Sequence, residues 1–294
     1  PDVSLNISRE MLQHDRQLKV IANNIEKKIK SELVKLMKDD REKYQQFWTA
    51  FGMQFKYALM NAYGQNRDTI RDLLLFWSSK ENKLTSLKEY VDRMPESQEK
   101  IYYVCADSGE HASKMPQAER VLKAGYEVLY LTVDEDEIVL QMLENAYDKP
   151  FVSVASEDAL PVTDAEKASV EQAEKDHKAL LDFAQETLKG EVSKVRISKI
   201  LQSGAVCLTA EGPVSLEMEK YFRKMRRDFP MSAQRVLELN PDAPAFQALC
   251  KAYEEDKEKA AAYVEVLYNQ ALIIADLPLP DPARYAELVC GLMK

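Results

Sequence analysis

The sequence predicts two parts. The first is α/β, with a helical segment followed by a small three-stranded parallel sheet; the second is α+β and ends in a helix pair. Three observations carry this. Apolar residues recur every three or four positions through about residue 95, as on one face of a helix. Between residues 101 and 154 short apolar runs alternate with helical stretches, the pattern of strands joined by crossover helices. Residues 155–166 are polar and carry Pro161 and Asp164, so they read as a boundary. A length of 294 residues suits two domains, each able to bury a core. The expected division is 1–160, with a helical segment 1–95 and an α/β subdomain 96–160, then 161–294.

The elements follow in order. Leu18, Ile21, Ile25, Ile29, Leu33 and Leu36 mark a long amphipathic helix. Asp39 or Asp40 can cap a second, on which Tyr44, Phe47, Trp48, Phe51, Phe55 and Leu59 form an aromatic stripe. Ile70, Leu73, Leu74 and Trp77 continue the helical pattern. Ser86 and Glu89 have capping-box spacing, and Pro95 stops the helix they start. Ile101–Cys105, Tyr126–Thr132 and Phe151–Val154 read as strands, with one helix ending near Lys123 at Gly125 and another over 134–146. Beyond the boundary, Ala173, His177, Leu180, Leu181, Ala184 and Leu188 mark a helix. Val195 and Ile197 pair with Val206–Thr209 as a hairpin through Gln202–Ala205, and Val236–Leu239 adds a strand. Helices are expected over 213–228, 243–254, 257–276 and 281–293.

Composition narrows the function. With 40 Lys+Arg against 49 Asp+Glu the chain carries −9, which disfavours nucleic acid or anionic lipid as a bulk electrostatic partner. No apolar run approaches the roughly 18 residues of a membrane span. Only 8 glycines are present, and neither G-x-G-x-x-G nor G-x-x-x-x-G-K-[ST] occurs, so the sheet reads as scaffold. Cys105, Cys207, Cys250 and Cys290 are widely spaced and His14, His111 and His177 match no ligand pattern; no metal site is expected, and reduced thiols in a cytoplasm are the simplest reading. His177 reads as a packing residue.

Two features can carry function. On the helix near 216–229, Met218, Tyr221, Phe222, Met225 and Phe229 lie along one side, with Arg223, Lys224, Arg226 and Arg227 beside them. A thioether and aromatic surface flanked by cations suits an adaptable contact with partner segments; a core helix with a solvated basic back is the other reading. In the C-terminal pair, Tyr263, Val264, Leu267, Ala271 and Ile274 form one stripe and Tyr285, Leu288, Val289 and Leu292 another. Two such helices from each of two chains would make a dimeric four-helix bundle, unless they pack on their own domain.

Several segments resemble the 90-kDa heat-shock chaperone family, in its order: Leu5-Asn6-Ile7-Ser8-Arg9-Glu10-Met11-Leu12-Gln13, Gln65-Asn66-Arg67, Ser86–Tyr90, Gln98–Tyr103, Gly125–Val128, Leu239-Asn240-Pro241 and Leu267–Leu272. The resemblance spans essentially the whole chain. The absence of a Met-Glu-Glu-Val-Asp tail is similar to the bacterial branch. It implies an ATP-dependent, homodimeric chaperone of unfolded or partly folded clients, in the cytoplasm, with ATP and Mg as cofactors of the full-length protein. It also implies that this chain opens inside the middle domain and lacks the nucleotide-binding domain, so no cofactor and no ATPase activity are expected of it alone. The family's catalytic-loop arginine falls on Arg9 and its glutamine on Gln13, where a guanidinium would offset charge on a transferring phosphoryl group. The same resemblance assigns client contact to Met218, Tyr221, Phe222, Met225 and Phe229, and dimerisation to the last two helices. The alternative from another class is a non-chaperone α/β interaction scaffold.

Overall fold

The computed structural model describes residues 16–80, 82–156, 159–225 and 232–293. It is mixed α/β, with two sheets. Helix α1 (Arg16–Asp39) and α2 (Arg41–Asn61) pack together through the Leu33, Leu36 and Met37 end of α1. Asp40 caps α2 by accepting from the Lys43 amide. The aromatic stripe divides: Tyr44, Trp48 and Leu59 enter the core, whereas Phe51 is exposed. The Tyr44 hydroxyl donates to the Leu73 carbonyl at 2.6 Å, fixing α2 on the turn before the first strand.

The helical reading of residues 70–77 is corrected. Helix α3 (Arg67–Ile70) and a 3-10 turn (Arg71–Leu73) give way to strand β1 (Leu75–Ser78). Leu74, Leu75 and Phe76 are all buried, and an unbroken apolar run buried on both faces has no period that separates helix from strand. Strand β2 (Leu84–Ser86) follows, then α4 (Leu87–Arg93), whose capping box is present: Ser86 Oγ accepts the Glu89 amide and Glu89 accepts the Ser86 amide at 2.7 Å.

The three predicted parallel strands form the centre of a wider, mixed sheet. Strands β3 (Ile101–Cys105), β4 (Val128–Leu131) and β6 (Lys149–Ser153) pair in parallel, with Tyr102 opposite Val128 and Ile101 opposite Phe151. β1 joins β4 antiparallel, β2 lies outside it, and β5 (Asn145–Ala146) edges β6, giving the order β2-β1-β4-β3-β6-β5. The expected single helix after β3 is two, α5 (Gly109–Lys114) and α6 (Pro116–Lys123), since Pro116 supplies no amide to continue α5 and starts α6 instead. Gly125 adopts φ +82° beyond α6, the left-handed cap that glycine permits. Helix α7 (Asp136–Leu143) covers the sheet beside α2.

In the second part, α8 (Asp164–Asp176) and α9 (Lys178–Thr187) replace one predicted helix, parted at His177, whose ring packs edge-on to Phe246 at 5.0 Å. The predicted hairpin is also corrected. Strands β7 (Lys194–Ile197) and β8 (Val206–Glu211) do not touch as neighbours; β9 (Gln234–Leu239) lies between them, parallel to β7 and antiparallel to β8. Val236, Leu237, Glu238 and Leu239 are all buried in succession, as befits a strand paired on both sides. Helices α9, α11 (Pro244–Glu255) and α12 (Lys257–Ile274) share one core with this sheet, and α13 (Pro282–Leu292) packs on α12. The two lobes meet closely. A Cβ on Gly204 would stand 2.7 Å from Pro116, so glycine permits that approach. Glu119 accepts from the Ser203 hydroxyl at 2.7 Å, and Arg120 donates to the Pro161 carbonyl at 2.7 Å.

Candidate functional site

Helix α10 (Leu216–Met225) stands at the junction of the lobes, and its sequence fixes both its polarity and its place. Glu217 and Glu219 occupy its first turn and Arg223 and Lys224 its last, each complementing the helix dipole. Ser215 Oγ accepts the Met218 amide at 3.0 Å and donates to Glu137 on α7. Glu219 is 0% exposed. Its carboxylate receives Arg235 of β9 at 2.6 Å, Arg223 at 2.7 Å and the Ala233 amide at 3.0 Å, and Arg235 also reaches the Tyr268 hydroxyl at 3.1 Å. This network clamps α10 to the second lobe. Lys224 pairs with Asp134 at 2.5 Å and Gln141 Nε2 lies 3.6 Å from Met218 Sδ, which ties it to the first.

The predicted apolar side is graded rather than free. Met218, Tyr221 and Phe222 are half-buried, with the Tyr221 and Phe222 rings 5.6 Å apart, while Met225 is 68% exposed. Phe229, Arg226 and Arg227 lie outside the described residues. The cations on the described helix are engaged: Lys220 by Glu217 at 2.9 Å, Arg223 by Glu219 and Lys224 by Asp134. The helix therefore offers apolar surface more than positive charge.

Beside α10 a cleft of about 550 Å3 opens between the lobes, lined by Cys105, Gln117, Glu137, Leu208, Leu216 and Glu217 among others. Glu137 accepts from the Tyr103 hydroxyl at 3.1 Å as well as from Ser215, and burial holds its carboxyl above the ordinary carboxylate value. Burial pushes Glu217 up in the same way and raises the Cys105 thiol. Glu137, Gln117, Glu219 and Arg235 escape sequence reasoning. A glutamate or glutamine on a helix reads as solvated, and only the i,i+4 spacing of Glu219 and Arg223 hints at a pair.

The C-terminal stripes separate by helix. Val264, Leu267 and Ala271 are buried in this chain's own core, so of that stripe only the half-buried Tyr263 and Ile274 are left for a partner, with the exposed Ile273 beside them. On α13 only Leu288 is buried; Tyr285, Val289 and Leu292 are half-exposed, and Met293 just beyond is exposed. Arg9 and Gln13 lie outside the described residues. Among the described residues no three His, Cys, Asp or Glu side chains gather as a metal site needs, and no helix is long and apolar enough to cross a membrane.

The sequence model of the family described as Hsp90 protein matches residues 1–294. Curated relatives named chaperone protein HtpG are similar along the whole chain. That of Bacillus subtilis (strain 168) is 50% identical over 292 residues, covering 99% of this chain and 47% of its own length. That of Oceanobacillus iheyensis is 49% identical over 292 residues, again 99% and 47%. That of Clostridium botulinum (strain Langeland) is 48% identical over 294 residues, 100% and 47%. The chain thus spans about half the length of the curated relatives it matches.

Proposed function

Because the chain belongs to the Hsp90 family, we propose that it is the client-contacting and dimerising part of an ATP-dependent, cytoplasmic molecular chaperone. The observation that carries the client reading is α10: a helix clamped at its acidic end by Glu219–Arg235, with Met218, Tyr221, Phe222 and Met225 graded outward beside an interlobe cleft. A rigid mount with flexible thioether and aromatic side chains suits partners of varied sequence, because methionine adapts its shape at small cost. The same reading gives the half-exposed Tyr263, Ile274, Tyr285, Val289 and Leu292 to a second copy of the chain, in a four-helix arrangement of α12 and α13 from each protomer.

In the full-length protein ATP and Mg would supply the phosphoryl transfer that drives the conformational cycle. Arg9 would aim its guanidinium at the transferring group, and Gln13 would assist. The free thiols of Cys105, Cys207, Cys250 and Cys290 accord with a reducing compartment. No observation favours the non-chaperone scaffold.

The test uses the full-length protein and a thermally unfolding substrate whose aggregation is followed by light scattering. Wild type should suppress scattering at near-stoichiometric ratios. Arg9→Ala should lower ATP turnover by roughly 10²-fold or more while leaving ATP affinity intact, the scale at which arginines on phosphoryl groups act. No suppression by wild type defeats the chaperone reading, and wild-type turnover in Arg9→Ala defeats the role of Arg9.

A further inference from the structure

Two hollows meet between the lobes and share Cys105, Glu137 and Glu217; the larger holds about 550 Å3 and the smaller about 290 Å3. The larger falls within the ~300–1,000 Å3 that ligand clefts occupy. Their charge is lopsided, with six carboxylates lining them against three cations. Each cation is already engaged: Arg196 by Glu238 at 2.6 Å, Lys220 by Glu217 at 2.9 Å and Lys224 by Asp134 at 2.5 Å. Glu137, 6% exposed, takes its described hydrogen bonds from the hydroxyls of Tyr103 and Ser215. Hydroxyls orient a carboxylate without cancelling its charge, and a buried charge is costly until a counter-ion arrives.

A second mark is independent of charge. Gln117 on α6 is 3% exposed and lines the same cleft. Its Nε2 donates to the Leu208 carbonyl at 3.5 Å, but its Oε1 has no hydrogen-bond partner. Buried amide oxygens are rarely left so, and an orphaned acceptor favours any ligand that brings a donor.

We propose that this cleft receives the lysine or arginine side chain of an extended client segment, with Glu137 facing the cation and Gln117 Oε1 accepting one of its N–H groups. The inference rests on the chaperone reading and adds to it a preference: basic residues interspersed with apolar ones, the latter meeting Leu216 and the graded face of α10. An acidic segment would meet carboxylates on both walls.

The probes are two fluorescent, unstructured peptides of equal length and apolar content, one with lysine and one with glutamate at its polar positions. Binding to the full chain is measured by anisotropy at two salt concentrations. The lysine peptide should bind about tenfold tighter or more, and its lead should shrink as salt rises. Glu137→Gln with Glu217→Gln should remove most of that lead by weakening the lysine peptide, with the glutamate peptide bound no more weakly than before. Glu171→Gln with Glu254→Gln, the same charge change outside the cleft, should leave both affinities as they were. Equal affinity for the two peptides overturns the proposal, as does an equal loss in the outside pair, which would make bulk acidity the cause. If the cleft pair melts, a photoactivatable lysine peptide on the unaltered chain decides: cross-links must fall on residues 105–107, 117, 137–141 or 208–217, and cross-links elsewhere overturn the assignment. A protein that suppresses aggregation without lysine preference defeats this inference alone, whereas one that does neither defeats the chaperone reading too.

Discussion

At the scale of single residues, the buried charges decide the most. Glu219 has no exposed surface and holds both Arg235 and Arg223, so its removal strands the largely buried Arg235 guanidinium with one remaining described partner, Tyr268. Breaking such a pair by deleting one member typically costs about 3–5 kcal/mol, more than the pair itself contributes over an apolar replacement. Glu219→Ala should lower unfolding stability by that order in urea titration, and a loss below about 1 kcal/mol would show that water reaches Arg235. Glu137 and Glu217 work through pH. Burial raises both above the ordinary 4.5; the Ser215 and Tyr103 hydroxyls and Lys220 pull the other way, while Glu217 beside Glu137, and Asp276 and Asp134 near Glu217, add to the rise. The folded state then binds their protons more tightly than the unfolded chain, so stability grows as pH falls from neutral through the raised values and is fully gained near 4.5. Glu119 acts oppositely: the Lys123 ammonium and Ser203 hydroxyl hold it at about 2, so its contribution is complete above the ordinary 4.5 and lost as pH falls from there toward 2. The thermal midpoint should therefore rise from pH 7 toward pH 5 and fall again below about 4. Glu137→Gln should flatten the first limb, and a midpoint that declines steadily from pH 7 would contradict the sign.

At the scale of elements, α10 is where sequence and structure inform each other most. Its amphipathic pattern is legible, because Met218, Tyr221, Phe222 and Met225 recur at helical spacing. What the pattern cannot express is that α7 and Asp134 come from residues some 75–90 positions earlier to half-cover that face. The same limit explains the other differences. Helices with a strong stripe or a capping box, such as α2 and α4, are local and were readable; the placing of β9 between β7 and β8 depends on partners far along the chain. Residues 73–77 carried no period at all. Since Met218 and Phe222 are half-buried, Met218→Ser with Phe222→Ser should cost only about 1–2 kcal/mol, well short of the 2–5 kcal/mol of a core truncation. Aggregation suppression should fall several-fold while the far-ultraviolet spectrum and the cooperative unfolding of the protein persist. A double variant that is folded and fully active would remove α10 from the client surface; one that unfolds would make the helix core.

At the scale of the whole molecule, the proposed dimer turns on which surface a second copy would cover. The two C-terminal stripes are equivalent in sequence, but the structure buries most of one and leaves most of the other half-exposed. Val264, Leu267 and Ala271 of α12 complete the second lobe, so a chain ending near Asp256 would lose that core and report on folding rather than on association. Helix α13 contributes little to its own lobe beyond Leu288 and the Arg284–Glu265 contact at 3.3 Å. Tyr285, Val289 and Leu292 on α13, with Tyr263 and Ile274 on α12, remain to be covered. A fully buried side chain of this size contributes roughly 1.5–3 kcal/mol, so five from each protomer, even partly buried, can exceed an association cost of order 4–15 kcal/mol. The protein should run as a dimer by multi-angle light scattering at micromolar concentration. Removal of residues 281–294, leaving α12 in place, should halve the mass with the unfolding transition kept. Leu292→Glu with Val289→Glu should do the same in the full chain, because charges placed at a two-fold contact meet their own copies. A mass unchanged by both alterations would move the interface to another surface, of which the exposed Ile21, Ile25 and Ile29 face of α1 is the most apolar helical one described.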